Sequence, residues 1–596
     1  MKIHYKNKKL EKILIGVKAL TSAMVVASFV MLFGFDEPLM PVRILFNIQI
    51  GMLCIFIAGK IVRFFNAESI REFLLANWFE IPLLIALGVV IFGSGRWFGT
   101  FEPSKVRHLG VGIYLIIEVI VKICITSVSL AASGRNPTRT LIASFLVLII
   151  AGASLLMLPR SSTAGNVSFV DALFTATSAT CVTGLIVKNT GKDFSLMGQL
   201  VILSLIQLGG LGIVVFGAVF ALLLGQALSL RESVAMQDLL SARTLGRIGN
   251  MIFFIIAGTV LIEAVGAVSL FHMWDDVPGR VANVHQQWFC SIFHSISAFC
   301  NAGFSLFSNS FTSYNRSWGV YVVVCPLIIL GGLGFGVLYD LASIAADRVK
   351  GFFRKRLEDR YRFSVEVPAL RRMHLQSKIV LSVSACLIVL GTMAILLFER
   401  HAGRGGSSGN PSVLGALFQS ITARTAGFNT VDISALSASS KFVLTLLMFI
   451  GGSPGSTAGG NKTVTLAVII MTVFAALRKR QEVEMFKRSI RIVVVGRAIT
   501  VTLLFVAVLF VATLALSITE NANGFDMSDI MFETGSALGT VGLTTGITPS
   551  LTTAGKLIII AVMLIGRLGP LTLLAAMTFN LKPARYNYPE EAVIVG

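Results

Sequence analysis

Four times along the chain a Ser or Thr followed by Ala leads, through a few small or polar residues, to a glycine and then Leu or Phe. The copies are Phe174-x3-Ser178-Ala179-x4-Gly184-Leu185, Phe293-x3-Ser297-Ala298-x4-Gly303-Phe304, Thr422-Ala423-x3-Gly427-Phe428, which is one residue shorter, and Phe532-x3-Ser536-Ala537-x4-Gly542-Leu543. Each sits between two long hydrophobic segments. Glycine permits backbone shapes that other residues resist, and carbonyls turned inward by such loops can replace the water around a cation. One loop of this kind reads as a tight turn. Four in register read as four quarters of a pore around one axis. The glycines stand 119, 124 and 115 residues apart, which argues for duplication.

The elements that must position these loops are membrane helices. The chain is 55% hydrophobic and only 13% charged, and a soluble protein of this size carries roughly twice that charged fraction. Many stretches exceed the length of a spanning helix. Four spans come first, at about 13–34, 43–65, 77–95 and 108–132, within an N-terminal block of residues 1–136. Four repeats follow at 137–249, 250–374, 375–496 and 497–582, then a cytosolic tail at 583–596. Each repeat reads as helix, half-membrane hairpin, helix. First helices fall at about 139–159, 250–273, 375–399 and 497–519, and short pore helices at about 169–180, 288–299, 412–423 and 527–538. Second helices run through about 197–225, 317–346, 440–478 and 556–580. The expected fold class is an all-α polytopic membrane protein with four fused helix–pore-loop–helix repeats around one central pore. Non-helical backbone at that depth survives only when covered by protein or lining water.

The formal net charge is +20. The basic residues lie in short loops, as the positive-inside rule requires, and not on a nucleic-acid surface. Residues 348–372 hold nine Lys/Arg against three acids, and Arg478 to Arg491 is again basic, whereas Asp36–Glu37 and Asp275–Asp276 lie between other spans. Both termini and the basic loops are therefore expected in the cytosol. The seven cysteines show no paired spacing and suggest neither a disulfide framework nor a metal site.

Several motifs occur in order: TATSATCVTGL, HSISAFCNAGF, ITARTAGFNT and ETGSALGTVGLTTG, with GGSPGSTAGGNKTVT and GRLGPLTLL at the expected places. From about residue 137 onward the chain resembles the Trk/Ktr/HKT-type potassium transporter subunits, and its last two motifs are closest to the Ktr-type membrane subunit. The resemblance implies a selectivity filter, a cytosolic nucleotide-binding ring partner and homodimerisation. The first 135 residues depart from the shorter Ktr subunit, which has eight core spans. Loop chemistry and resemblance together place potassium at the backbone of Val182, Thr183 and Gly184; Asn301, Ala302 and Gly303; Thr425, Ala426 and Gly427; and Thr540, Val541 and Gly542. With one glycine per loop, fewer defined ion sites and a less stringent exclusion of sodium are expected. Potassium, and sodium beside it, enters as substrate; no cofactor is expected in the chain.

Gly and Pro at high density interrupt the third repeat's second helix over Gly452, Ser453, Gly455, Ser456, Thr457, Gly459 and Gly460. In the family resembled, this segment is the intramembrane gate. With little apolar packing it should be weakly held. Arg567, inside the last apolar helix, is a costly intramembrane charge that could face the gate across the pathway, or snorkel to the cytosol. Glu118 and Lys122 read as a local pair four residues apart. Glu263 reads likewise, while Glu533 could attract cations or brace its hairpin. Gly209-Gly210 and Gly331-Gly332 read as packing residues.

Two rival functions stand beside transport. A potassium-binding subunit of a P-type pump shares the four-repeat plan. The segment Gly451-Gly452-Ser453-Pro454-Gly455 also matches Gly-x-Ser-x-Gly, the nucleophile elbow of hydrolases. An intramembrane serine hydrolase would need a histidine at matching depth. The seven histidines fall instead in loops, near span ends or, for His294, in a pore helix. No enzyme activity is expected. The basic loops near 348–372 and 478–491 are candidate docking surfaces, lipid surrounds the spans, and nucleic acid is not an expected partner.

Overall fold

A helix needs about 20 apolar residues to cross a bilayer. Among the described residues five helices meet this alone: Lys9–Phe33, Val42–Asn66, Met251–Asp276, Leu375–His401 and Ile492–Thr519. Their outward faces carry exposed apolar side chains such as Leu20, Ile61, Phe253, Leu261, Val389 and Phe510, as suits contact with lipid. The structure, a computed structural model, describes residues 6–70, 73, 80–97, 107–119, 137–163, 165–212, 248–277, 281, 283–361, 373–402, 412–480 and 482–577.

The N-terminal block contains α1 (Lys8–Phe33), α2 (Val42–Asn66), α3 (Glu80–Trp97) and α4 (107–119). Each of the four repeats then has the same three parts. The first helices are α5 (Pro137–Leu156), α8 (Ile248–Leu270), α12 (Leu375–His401) and α16 (Ile492–Thr519). The short helices are α6 (Phe169–Thr180), α9 (Val284–Phe299), α13 (Val413–Thr422) and α17 (Met527–Gly539). The second helices begin with α7 (Leu196–Leu211), α10 (Cys325–Leu333), α14 (Ala438–Phe449) and α18 (Thr553–Leu568). The chain continues beyond them as α11 (Phe335–Tyr361), α15 (Thr463–Leu477) and α19 (Pro570–Met577). One departure from all-helical structure is an antiparallel hairpin, β1 (Val483–Met485) and β2 (Arg488–Ile490), in the basic stretch before α16.

The second helices differ from expectation. The apolar pattern suggests one interruption, in the third repeat, yet the second helices of the second and fourth repeats are broken as well, and in the first repeat α7 ends at the matching Gly212. α7, α10 and α18 are followed by Gly212, Gly334 and Gly569, with φ of +81°, +90° and +85°. Glycine adopts this backbone region without the penalty a Cβ brings. At Gly334 the chain turns by 105°. Hydrophobicity continues across each break, so periodicity alone conceals it.

Two ion pairs join successive repeats. Lys441 Nζ lies 3.2 Å from Asp529 Oδ1, and Lys556 Nζ lies 2.7 Å from Asp171 Oδ1. Both aspartates occupy the first turn of a short helix, where a negative charge complements the helix dipole. The second pair joins the fourth repeat to the first and so closes the ring.

Glu118 of the N-terminal block, expected beside Lys122, has partners on two other helices. It is buried and bonds Lys60 of α2, with Lys18 Nζ of α1 at 3.2 Å. Three helices thus share one carboxylate. Lys122, the chain from 120 to 136, residues 213–247 and the tail at 583–596 lie outside the described residues.

Candidate functional site

Each short helix runs inward and ends at one of the four glycine loops, so its partially negative C-terminal end faces the centre, an arrangement that favours cations. Small residues make this approach possible. Ala176, Thr177, Ser178 and Ala179 are fully buried, as are Ser297, Ala298, Ser536 and Ala537. The hydroxyl residue of each motif folds the loop back on its helix. The N–H groups of Thr183, Ala302 and Val541 donate to the carbonyls of Ser178, Ser297 and Ser536 at 2.8, 2.7 and 2.8 Å. In the third loop Ala426 donates to Thr422 at 2.9 Å. That bond spans one residue fewer, which accounts for the shorter motif. Side chains add to this: Ser178 Oγ and Ser536 Oγ accept from the N–H of Gly184 and Gly542, each at 3.0 Å.

With the amides turned back, the loops need unusual backbone at two equivalent places. Val182, Asn301, Thr425 and Thr540 have φ of +57°, +58°, +78° and +50°. Two residues later Gly184, Gly303, Gly427 and Gly542 have φ of +92°, +70°, +81° and +95°. Non-glycine residues at positive φ are uncommon and cluster where function demands the geometry.

The glycines also meet one another. A Cβ on Gly184 would come within 3.0 Å of the carbonyl oxygen of Ala302. The same holds for Gly303 against Ala426 O, Gly427 against Val541 O, and Gly542 against Thr183 O. Each loop therefore abuts the next in the order first, second, third, fourth, first. The carbonyl that precedes each glycine is what the neighbouring glycine packs against. Eleven of the twelve loop residues expected to bind potassium are buried, and Gly303 is partly buried; the fold gathers all four loops in one place.

The glycine-rich segment lies against this ring. Ser453 N–H donates to Gly332 O at 3.0 Å, and Thr457 Oγ1 donates to Gly331 O at 3.1 Å and Phe299 O at 3.4 Å. Gly459 N–H donates to Thr540 Oγ1 at 3.1 Å, and Gly460 N–H to Gly566 O at 3.3 Å. Gly455 O accepts from Phe335 N–H at 2.9 Å. The expectation of a weakly held segment thus needs correction: apolar packing is sparse, but the backbone is tied to the second and fourth repeats. A Cβ on Gly451 would strike the carbonyl of Gly459, and one on Gly459 would strike the Thr540 side chain.

Arg567 completes the arrangement. Its guanidinium donates to Thr457 O, to Gly209 O at 2.5 Å and to Gly210 O at 3.3 Å. It links the segment to the first and fourth repeats, and does not snorkel away. Aligning the second helices at Gly209, Gly331, Gly451 and Gly566 shows that Arg567 stands where the other repeats have Gly210, Gly332 and Gly452. Gly209-Gly210 and Gly331-Gly332 are therefore more than packing residues, since their carbonyls hold the segment and its arginine.

Sequence reasoning gave Lys462 no role. Its ammonium donates to Ala458 O at 2.7 Å and lies 3.5 Å from Gly459 O. A lysine between a glycine run and an apolar helix was the available signal. Glu533 accepts from Thr548 and braces its own hairpin. Ser453 Oγ pairs with Thr463 Oγ1 at 3.2 Å, and Ser456 Oγ donates to Ser453 O at 2.6 Å. His294 is engaged elsewhere, with Cys290 O at 2.8 Å and Ser305 Oγ at 3.1 Å.

Comparison with known proteins separates the readings. The family described as TrkH, cation transport protein, matches residues 112–586. The Ktr system potassium uptake protein B of Bacillus subtilis is 37% identical over 471 residues, covering 77% of this chain and 97% of that protein. The potassium/sodium uptake protein NtpJ of Enterococcus hirae is 36% identical over 469 residues, covering 77% and 97%. The crystal structure of the potassium transporter TrkH from Vibrio parahaemolyticus matches with a TM-score of 0.55 at 20% identity, over 85% of this chain and 97% of that one, a likeness of fold. The relatives are transporters, so the hydrolase and pump-subunit readings go no further. This multi-pass membrane chain belongs to the TrkH family of cation transport proteins.

Proposed function

We infer that this chain is the ion-conducting subunit of a potassium uptake system, passing cations down their electrochemical gradient through one central pore. The observation that carries the reading is the closed ring in which each loop glycine abuts the carbonyl before the next. Backbone oxygens brought together at the negative ends of four helices can substitute for the hydration shell of a cation. We assign potassium coordination to the loop backbones at 182–184, 301–303, 425–427 and 540–542. The names of the relatives, potassium uptake and potassium/sodium uptake, support potassium as the main ion with sodium beside it.

We assign gating to Gly452–Gly460 with Arg567. The segment lies next to the ring and is held chiefly by hydrogen bonds, each worth a net contribution of about 1 kcal/mol, so it can be displaced without unpacking a core. Arg567 adds a positive barrier. Both termini lie in the cytosol on the charge bias. We assign the chain a cytosolic nucleotide-binding ring partner and a homodimeric state, a reading that the likeness to Ktr systems supports, with the basic stretches near 348–372 and 478–491 as docking surfaces. The test is rubidium and sodium flux into proteoliposomes holding the purified chain alone. Rubidium uptake that potassium competes away is expected. Folded, inserted protein that passes neither ion, even with the gating segment deleted, overturns the reading.

A further inference from the structure

Behind the second loop lies a buried polar cluster that transport itself does not explain. Glu263 is on α8, the first helix of the second repeat, and is only 7% exposed. Among the described residues no Lys, Arg or His forms an ion pair with it. Its Oε2 accepts from Gln207 Nε2 of α7 at 3.2 Å, and its Oε1 lies 3.8 Å from Cys300 Sγ. Cys300 Sγ also lies 3.6 Å from Gln207 Oε1. The three side chains form a closed triangle joining the first repeat's second helix, the second repeat's first helix and the residue that ends α9. An ionisable group without a cationic partner is expensive in a membrane, and such groups usually mark function.

Cys300 is one residue before Asn301, whose positive φ turns the second loop. The Asn301 amide lies 3.4 Å from Thr425 Oγ1 of the third loop, and with the amide turned over its nitrogen would donate to Ala298 O and Ile328 O at 3.0 and 3.1 Å. Gly210 leaves just enough room for the thiol, since a Cβ there would come within 2.8 Å of Cys300 Sγ. Ser295 Oγ of α9 donates to the Glu263 carbonyl at 2.7 Å, registering the same helix a second time. Of the other buried carboxylates, Glu399 accepts from Ser437 and Glu520 from Thr552. At the equivalent place in the third loop the residue is Arg424, held by Ser384 O and Oγ at 3.1 Å each.

We propose that Glu263, acting through Gln207 and Cys300, is a positioning residue that holds the second quarter of the ring in its ion-selecting shape. Its carboxylate fixes the Cys300 side chain, and with it the turn at Asn301 that orients the Ala302 carbonyl. This rests on the reading of the four loops as the filter. The variants are Glu263→Ala, Glu263→Gln, Gln207→Ala and the double Glu263→Ala/Gln207→Ala, assayed by rubidium and sodium flux in proteoliposomes. Glu263→Ala should lower the rubidium-to-sodium ratio roughly fivefold, the size of one buried hydrogen bond, and raise the rubidium KM more than it lowers maximal flux. Glu263→Gln, which keeps an acceptor at the same reach, should retain most of the ratio. The double variant should be no worse than Glu263→Ala.

A folded Glu263→Ala protein with wild-type ratio and KM overturns the proposal. So does a Glu263→Gln protein as impaired as Glu263→Ala, since charge and not placement would then matter. If Glu263→Ala does not assemble, Gln207→Ala decides: a lowered ratio supports the proposal and an unchanged one overturns it. Gly184→Ser separates the underlying reading. A lowered ratio there beside an unchanged one in Glu263→Ala sinks this proposal alone, whereas unchanged ratios in both sink the filter assignment.

Discussion

The backbone N–H of Gly459 donates to the hydroxyl of Thr540 at 3.1 Å. Thr540 is the residue at positive φ in the fourth loop, so the glycine-rich segment bears directly on the ring. The same segment reaches the second repeat, where Thr457 Oγ1 lies 3.4 Å from Phe299 O. Displacing it therefore frees groups in two of the four quarters.

Deleting residues 453–460 removes these bonds and, on the gating assignment, the obstruction with them. Basal rubidium flux through the chain alone should rise, and its dependence on a cytosolic partner should weaken. Flux that stays at the wild-type level, in protein that is inserted and assembled, would make the segment a structural kink.

Arg567 donates to carbonyls of both Thr457 and Gly209. Arg567→Ala should raise basal flux less than the deletion does. A barrier lowered by about 1.4 kcal/mol gives a tenfold faster rate, so even partial loss is measurable. Arg567→Lys should resemble the alanine variant, because an ammonium lacks the planar fork that spans two acceptors. A lysine variant with wild-type flux would show that charge alone suffices.

At Gly184 a side chain meets both a positive φ and the Ala302 carbonyl. Gly184→Ser should distort the contact between the first and second loops and lower the potassium-to-sodium uptake ratio. The measurement is dual-isotope flux. An unchanged ratio in folded protein would remove Gly184 from the ion-selecting ring.

The Lys556–Asp171 pair closes the ring between the last repeat and the first. Lys556→Asp alone places two carboxylates together and should lower the thermal midpoint in detergent. Adding Asp171→Lys should restore most of the loss, of about 1 kcal/mol or more for a partly buried pair. No recovery in the double variant would mean the two residues do not act on each other.

Reporters inserted after residue 350, on α11, and after residue 485, in the turn between β1 and β2, should report the cytosol. An external signal at either site would reject the orientation assigned from charge.

The sequence by itself determined the four loops and the helices that deliver them. The short helix expected at 169–180 is α6, Phe169–Thr180, because its motif is a local signal. The same is true of the loop glycines, whose positive φ follows from a turn that a Cβ would obstruct. Tertiary structure decided what each of these groups faces. The Lys556–Asp171 bond spans 385 positions and the Arg567–Thr457 bond 110, and no periodicity reports a partner at that distance. Glu118 bonds Lys18 and Lys60 on two other helices, partners that its local spacing does not report. The breaks at Gly334 and Gly569 were hidden because apolar residues continue on both sides. Local patterning records which surface a residue is buried against; only the closure of four repeats on one axis brings the carbonyl of one loop against the glycine of another.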